Sequence, residues 1–131
     1  LIRRHKLECM KKELTKAEEQ IMQAIWKVEK GFAKDILAEL DDPKPAYNTV
    51  LTVIRVLVQK GFVKFKTYGK SNEYYPTISK ETYSLQRVQA LKKRFFNNSN
   101  AQFLSFFMKE NKLDLNDLND MLLELNEDDN D

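Results

Sequence analysis

At 131 residues, 42% apolar and 32% charged, the chain holds one hydrophobic core, and it is too short for a TIM barrel or a complete dinucleotide-binding enzyme. Three glycines and three prolines supply too few turns for an all-β fold, while one cysteine, Cys9, and one histidine, His5, exclude a disulfide framework, a multi-thiolate or His-rich metal site, and a catalytic triad away from the N-terminus. The net charge of +2 is unevenly spread, with fifteen Lys/Arg against ten Asp/Glu over residues 1–78 and seven against ten over 79–131, which points the first part toward an anionic partner.

Residues 1–9 have no periodicity, and Met10 followed by Lys-Lys-Glu reads as a natural start, so 1–9 are set apart as an extension. Thr15-Lys-Ala-Glu18 is a capping box that starts a helix near Lys16. Ile21, Met22, Ile25 and Trp26 form its apolar face, and Gly31 is expected to end it. Ala33, Ile36, Leu37 and Leu40 predict a second, short helix. Asp41-Asp-Pro-Lys-Pro45 breaks the chain, because a proline disfavours helix in the residue before it. A third helix runs from about Tyr47 to Lys60, closed by Gly61 in the C′ position.

Phe62 to Tyr68 then alternates apolar with basic residues, Gly69-Lys-Ser-Asn72 is a turn, and Glu73 to Ile78 is strand-like. Together they predict a β-hairpin with a four-residue tip. Ser79 is the N-cap of a long helix, about Lys80 to Phe96, with Val88, Leu91 and Phe95 on one side. After a loop at Asn97–Asn100, Phe103, Leu104, Phe107 and Met108 mark a fifth helix. Asp114 caps a sixth, carrying Leu115, Leu118, Leu122 and Leu125, and residues 127–131 are expected to fray. No apolar run is long enough to span a bilayer, and no segment has the pattern of a signal peptide, so a cytoplasmic protein is expected.

In the third helix Val50, Val53, Ile54 and Leu57 point one way. Asn48, Thr52, Arg55 and Gln59 form a polar stripe on the other side, flanked by Thr49 and Leu51. Helix, helix, helix, hairpin is the order of a winged helix-turn-helix, in which such a helix enters the DNA major groove by its N-terminal part. Asn48 suits an adenine edge and Arg55 a guanine edge. Thr49 and Thr52 can reach a phosphate or a thymine methyl, and Lys64, Lys66 and Lys70 lie where a wing meets the phosphate backbone. The plain alternative is a solvated helix face and lysines that serve solubility. Trp26, Tyr74 and Tyr75 are read as packing residues rather than base-stacking ones.

Phe95, Phe96, Phe103, Phe106 and Phe107 cluster ahead of the four leucines. A tail of three helices has little interior of its own, so its apolar faces are expected to meet a second copy, through Val88, Leu91, Phe95, Phe103, Phe107, Leu118 and Leu122. The alternative is that these helices fold back on the first domain. A symmetric dimer suits a DNA reader, since paired readers face paired half-sites.

The run Leu14-Thr-Lys-Ala-Glu18 with Ile21-Met22 and Ile25-Trp26, the run Asn48 to Leu57 with Lys60-Gly61-Phe62, the Tyr74-Tyr75-Pro76 step, and Asn111-Lys-Leu-Asp with Leu118 and Leu122 together resemble the penicillinase-repressor family (BlaI/MecI type, with CopY-type copper repressors as relatives). The similarity covers about residues 14–125. It implies a homodimeric repressor that binds palindromic operator DNA and is released when a membrane sensor protease, acting directly or indirectly, leads to cleavage of the dimerisation domain. Thr49 and Thr52 match the family's DNA-contacting threonines. Asn48 and Leu51 stand where the β-lactam repressors have lysine and arginine. Arg55 is one position before another of their arginines, whose place Val56 takes, so a different operator is expected. Their Asn-Phe cleavage point aligns with Phe106-Phe107, without the asparagine. No cysteine follows Cys9, which excludes metal sensing through the copper repressors' C-terminal cysteines.

The expected fold is thus mainly α with a small β-hairpin: a winged helix-turn-helix DNA-binding domain over 10–78 and a helical dimerisation domain over 79–126. The expected partners are double-stranded operator DNA and a second copy, without membrane insertion. A winged-helix module that binds protein rather than DNA is the alternative. No Ser/His/Asp set, metal cluster or Gly-rich loop is available, so no catalytic residue, metal or cofactor is assigned and the chain is not read as an enzyme.

Overall fold

The computed structural model describes residues 13–129. The expected extension over 1–9 and the last two residues of the acidic tail lie outside the described residues. Helix α1 (Lys16–Val28) opens with the expected capping box: the Thr15 hydroxyl accepts from the Glu18 N–H at 3.2 Å, and the Glu18 carboxylate accepts from the Thr15 N–H at 3.5 Å. Two of the N–H groups that a helix start leaves open are thereby satisfied. The helix ends at Val28, before Gly31: Glu29 turns the chain in the left-handed region (φ 65°), and its N–H donates to the Ile25 carbonyl at 2.9 Å.

That early exit frees Gly31–Phe32 to form a short strand, β1. Helix α2 (Ala33–Ala38) follows at once, with the Asp35 carboxylate accepting from the Phe32 N–H at 2.9 Å. Helix α3 (Tyr47–Gln59) ends where Gly61 adopts φ 87°. The Gly61 N–H donates to the Val58 carbonyl and the Phe62 N–H to the Leu57 carbonyl, both at 3.0 Å, the paired bonds of a Schellman end. A side chain at position 61 would strain this backbone.

Strands β2 (Val63–Tyr68) and β3 (Ser71–Pro76) complete an antiparallel sheet of order β1-β3-β2. The predicted hairpin is therefore two strands of a three-stranded sheet. Its tip is also tighter than expected. Tyr68 pairs with Ser71, which leaves only Gly69 and Lys70 in the turn, and Gly69 has the positive φ (62°) that a type II′ turn needs at its first central position. Asn72 belongs to the strand and accepts from the Thr67 hydroxyl at 2.8 Å. The strand stops at Pro76, and Thr77 instead ties it to the end of α3, its N–H donating to the Phe62 carbonyl at 2.9 Å and its hydroxyl to the Gly61 carbonyl at 2.6 Å.

The core holds Met22 and Ile25 of α1, Ile36 of α2, Val50, Ile54 and Leu57 of α3, with Phe62, Val63 and Tyr74 from the sheet side. Each such side chain contributes about 1.5–3 kcal/mol by leaving water. Trp26 caps the core, its indole N–H donating to the Ile78 carbonyl at 2.9 Å and its ring lying 5.6 Å from that of Tyr83. Tyr83 also meets Phe62 edge-on at 5.9 Å.

Helix α4 (Lys80–Phe95) starts as expected at Ser79, whose hydroxyl accepts from the Thr82 N–H at 3.0 Å. The chain divides into two compact units inside this helix, between Gln86 and Arg87, because its first turns carry Tyr83 into the core just described. In the second unit Asn97 and Asn98 take left-handed conformations, and Ser99 caps α5 (Asn100–Glu110) through the Gln102 N–H at 3.1 Å. Asp114 and Asp117 cap α6 (Leu115–Asp129) reciprocally, each carboxylate accepting from the other's N–H at 2.9 Å. The helix continues to Asp129, past Glu127 where fraying was expected. Among the described residues no helix is long and apolar enough to cross a membrane.

Candidate nucleic-acid interface

Helix α3 buries Val50, Ile54 and Leu57 and leaves Asn48, Thr49, Thr52, Arg55 and Gln59 exposed, so the polar stripe lies on its outer side. The first turn has no side-chain cap and no acidic residue. Its open N–H groups and the positive end of the helix dipole therefore face solvent uncompensated, which favours an anion there. Asn48 and Thr49 sit in that turn. The Thr52 hydroxyl donates to the Asn48 carbonyl at 2.9 Å, so its proton is occupied, and an oxygen lone pair and a methyl remain for a ligand.

Lys64 and Lys66 are exposed on β2, two residues apart and thus on one face of the strand, and Lys70 is exposed at the tip. Glu73, the only carboxylate over residues 47–78, lies opposite Lys66 in the register but pairs with Lys30 at 3.7 Å. Lys66 instead lies 5.3 Å from the centre of the Tyr68 ring. The basic character of the hairpin is therefore not consumed internally.

Sheet and helix together form a groove of about 530 Å³ lined by Arg55 and Lys70, which the sequence assigned, and by Lys34, Tyr47 and Tyr68, which it did not. Lys34 was missed because it stands in α2, fourteen or more residues from the stripe, and only the tertiary fold carries it there. Tyr47 carried a readable signal: it is the first residue of α3 and half exposed. Of the aromatic residues read as packing, Tyr74 is buried, and Trp26 and Tyr75 are half-buried.

At the other end of the chain, Val88, Leu91, Phe95, Phe107 and Leu122 are exposed, while Phe103 and Leu118 are half-buried. Phe103 meets Phe96 edge-on at 5.3 Å. Among the described residues every buried hydrophobic side chain lies at or before Tyr83. The second unit thus presents Phe95, Phe106, Phe107, Leu115, Leu122 and Leu125 to solvent, with no buried apolar side chain among its described residues.

Residues 14–127 match the family described as penicillinase repressor. Among solved structures, the solution structure of the DNA binding domain of the repressor BlaI is similar, at 25% identity and a TM-score of 0.48, over 54% of this chain and 88% of that one. The CopR repressor structure is similar at 23% identity and a TM-score of 0.43, over 52% of this chain and all of that one (100%). The complex structure of hsRosR-S4 shares the fold, at 16% identity and a TM-score of 0.51, over 80% of this chain and 94% of that one. No curated protein matches the sequence.

Proposed function

Because the chain belongs to the penicillinase repressor family, a family of transcriptional repressors, we propose that it is a cytoplasmic homodimer that binds a palindromic operator through its winged helix-turn-helix. The observation that carries this reading is the outward polar stripe of α3, with an uncapped first turn beside a hairpin whose lysines have no carboxylate partner among the described residues. Asn48, Thr49, Thr52 and Arg55 contact the duplex from α3, and Lys64, Lys66 and Lys70 from the wing. Phosphate contacts position the protein and base edges select the site.

The second unit joins two copies. Support comes from its exposed Phe and Leu side chains and its lack of a buried apolar residue among those described. One winged helix with a few phosphate contacts binds weakly at physiological salt, and a shared tail raises the effective concentration of the second reader. Whatever parts the tails therefore releases the operator. Cleavage at the family's position, by or through a membrane sensor protease, is one such route. Phe106 and Phe107 lie within α5, so a protease must first open that helix.

Fluorescence anisotropy on the DNA upstream of the protein's own gene, with a scrambled duplex as competitor, tests the reading. Preferential binding that weakens steeply with salt supports it. A folded protein that binds neither duplex at low salt points instead to a protein-binding module.

A further inference from the structure

The groove between the start of α2, the outer side of α3 and the hairpin tip is a site of its own. It is lined by Lys34, Arg55 and Lys70, one cation from each element, with Tyr47 and Tyr68 beside them and no carboxylate in its wall among the described residues. All three cations are exposed, and none has an ion pair or hydrogen bond among the described residues. Like charges gathered around one concave volume repel each other, and an anion in that volume reverses the sign of the interaction. Arg55 stands about two turns along α3 from Asn48, well away from the helix end that enters a major groove first. Lys34 lies on neither the polar stripe nor the wing.

We propose that this groove seats a phosphodiester of the duplex beside the recognition helix, held by Lys34, Arg55 and Lys70. The seat rests on the reading of the protein as a duplex-DNA binder and adds Lys34 to its contacts. It also changes the role expected of Arg55, from reading guanine to holding the backbone, and leaves base reading to the first turn and a half of α3. The Tyr47 and Tyr68 hydroxyls are further donors of the kind that phosphates accept.

The test is Lys34→Gln, with Lys34→Arg as the conservative control, in anisotropy titrations of the upstream duplex and a scrambled duplex across a chloride series. Lys34→Gln weakens both duplexes by the same factor, about tenfold near ~0.1 M salt, and lowers the salt slope by about one. Lys34→Arg restores both, and Arg55→Gln behaves like Lys34→Gln. If Lys34→Gln keeps the affinity and slope of a wild type that binds, the seat is wrong and the repressor reading stands. If it changes the ratio between the two duplexes, the groove reads bases and the seat is equally wrong. A wild type that binds neither duplex overturns both. Inorganic phosphate is the other source of the same chemistry: if it alone shifts the Lys34 and Arg55 side-chain resonances at millimolar concentration, the groove is a small-anion site and the duplex assignment falls.

Discussion

The Lys60 ammonium donates to both oxygens of the Glu18 carboxylate, at 2.6 and 2.8 Å, and so ties the first turn of α1 to the end of α3. Glu18 is buried, with only 6% of its surface exposed. Burial pushes its carboxyl upward, but the hydrogen bond from Lys60, the Thr15 N–H and the Lys60 charge outweigh it and hold the carboxyl below its ordinary 4.5. Lys60 is the C-cap residue of α3, so the pair joins the end of that helix to the start of α1.

A carboxyl lowered by folding stabilises the fold above its ordinary pKa, and that contribution is lost as pH falls through the lowered value. Glu18→Gln should therefore cost about 1–2 kcal/mol at neutral pH, less than a fully buried pair because Lys60 reaches solvent. The gap to wild type should close as pH drops below 4.5. Urea unfolding followed by the single tryptophan, Trp26, measures it at each pH, and a gap that is independent of pH would contradict the ion-pair account.

Trp26→Phe removes the donor to the Ile78 carbonyl while keeping an aromatic ring against Tyr83. The loss should be about 1–2 kcal/mol, since the carbonyl stays partly buried without its partner. Circular dichroism of thermal unfolding reads it. An unchanged midpoint would mean that the indole N–H contributes nothing net.

Asn48→Ala should cost about 1–3 kcal/mol on the operator and relax selectivity over scrambled DNA. Thr52→Val should change the operator affinity by less than about 0.5 kcal/mol, because the hydroxyl proton already serves the Asn48 carbonyl and valine keeps the methyl. A large loss in Thr52→Val would show instead that the Thr52 oxygen itself meets the DNA.

Lys66→Ala should weaken operator and scrambled DNA equally and reduce the salt slope by about one, as expected of a phosphate contact. Retention of the full slope would assign Lys66 to its local contact with Tyr68 alone.

Leu122→Asp and Phe107→Asp place a charge on exposed apolar side chains of the second unit. If the second unit joins two copies as proposed, each should give monomers by sedimentation where wild type sediments as a dimer, together with loss of operator binding and an unaltered first unit. A dimer that survives both substitutions would place the subunit contact elsewhere.

The elements set by local chemistry were legible in the sequence. Thr15 with Glu18, Ser79 and Asp114 mark helix starts because a short polar side chain reaches an N–H three residues on, and Gly61 marks an end because its φ of 87° favours glycine. The polar stripe of α3 was equally legible, since burial of Val50, Ile54 and Leu57 dictates which side faces out. What depends on distant pairing was not. Gly31 and Phe32 become a strand only because Tyr74 and Glu73 lie beside them, and Glu29 bends the chain to allow it. Ser71 and Asn72 leave the expected turn because they pair with Tyr68 and Thr67 across the hairpin. Lys34 joins Arg55 and Lys70 through packing between elements that no local spacing encodes.

Hydroxyl-radical footprinting of the DNA upstream of the protein's own gene tests the central claim most directly. Two equivalent protected segments related by a dyad, their centres about one helical turn (~10 bp) or a multiple of it apart, are the result expected of a dimer of winged helices on a palindrome. A single isolated footprint, or uniform protection along the fragment, would contradict it.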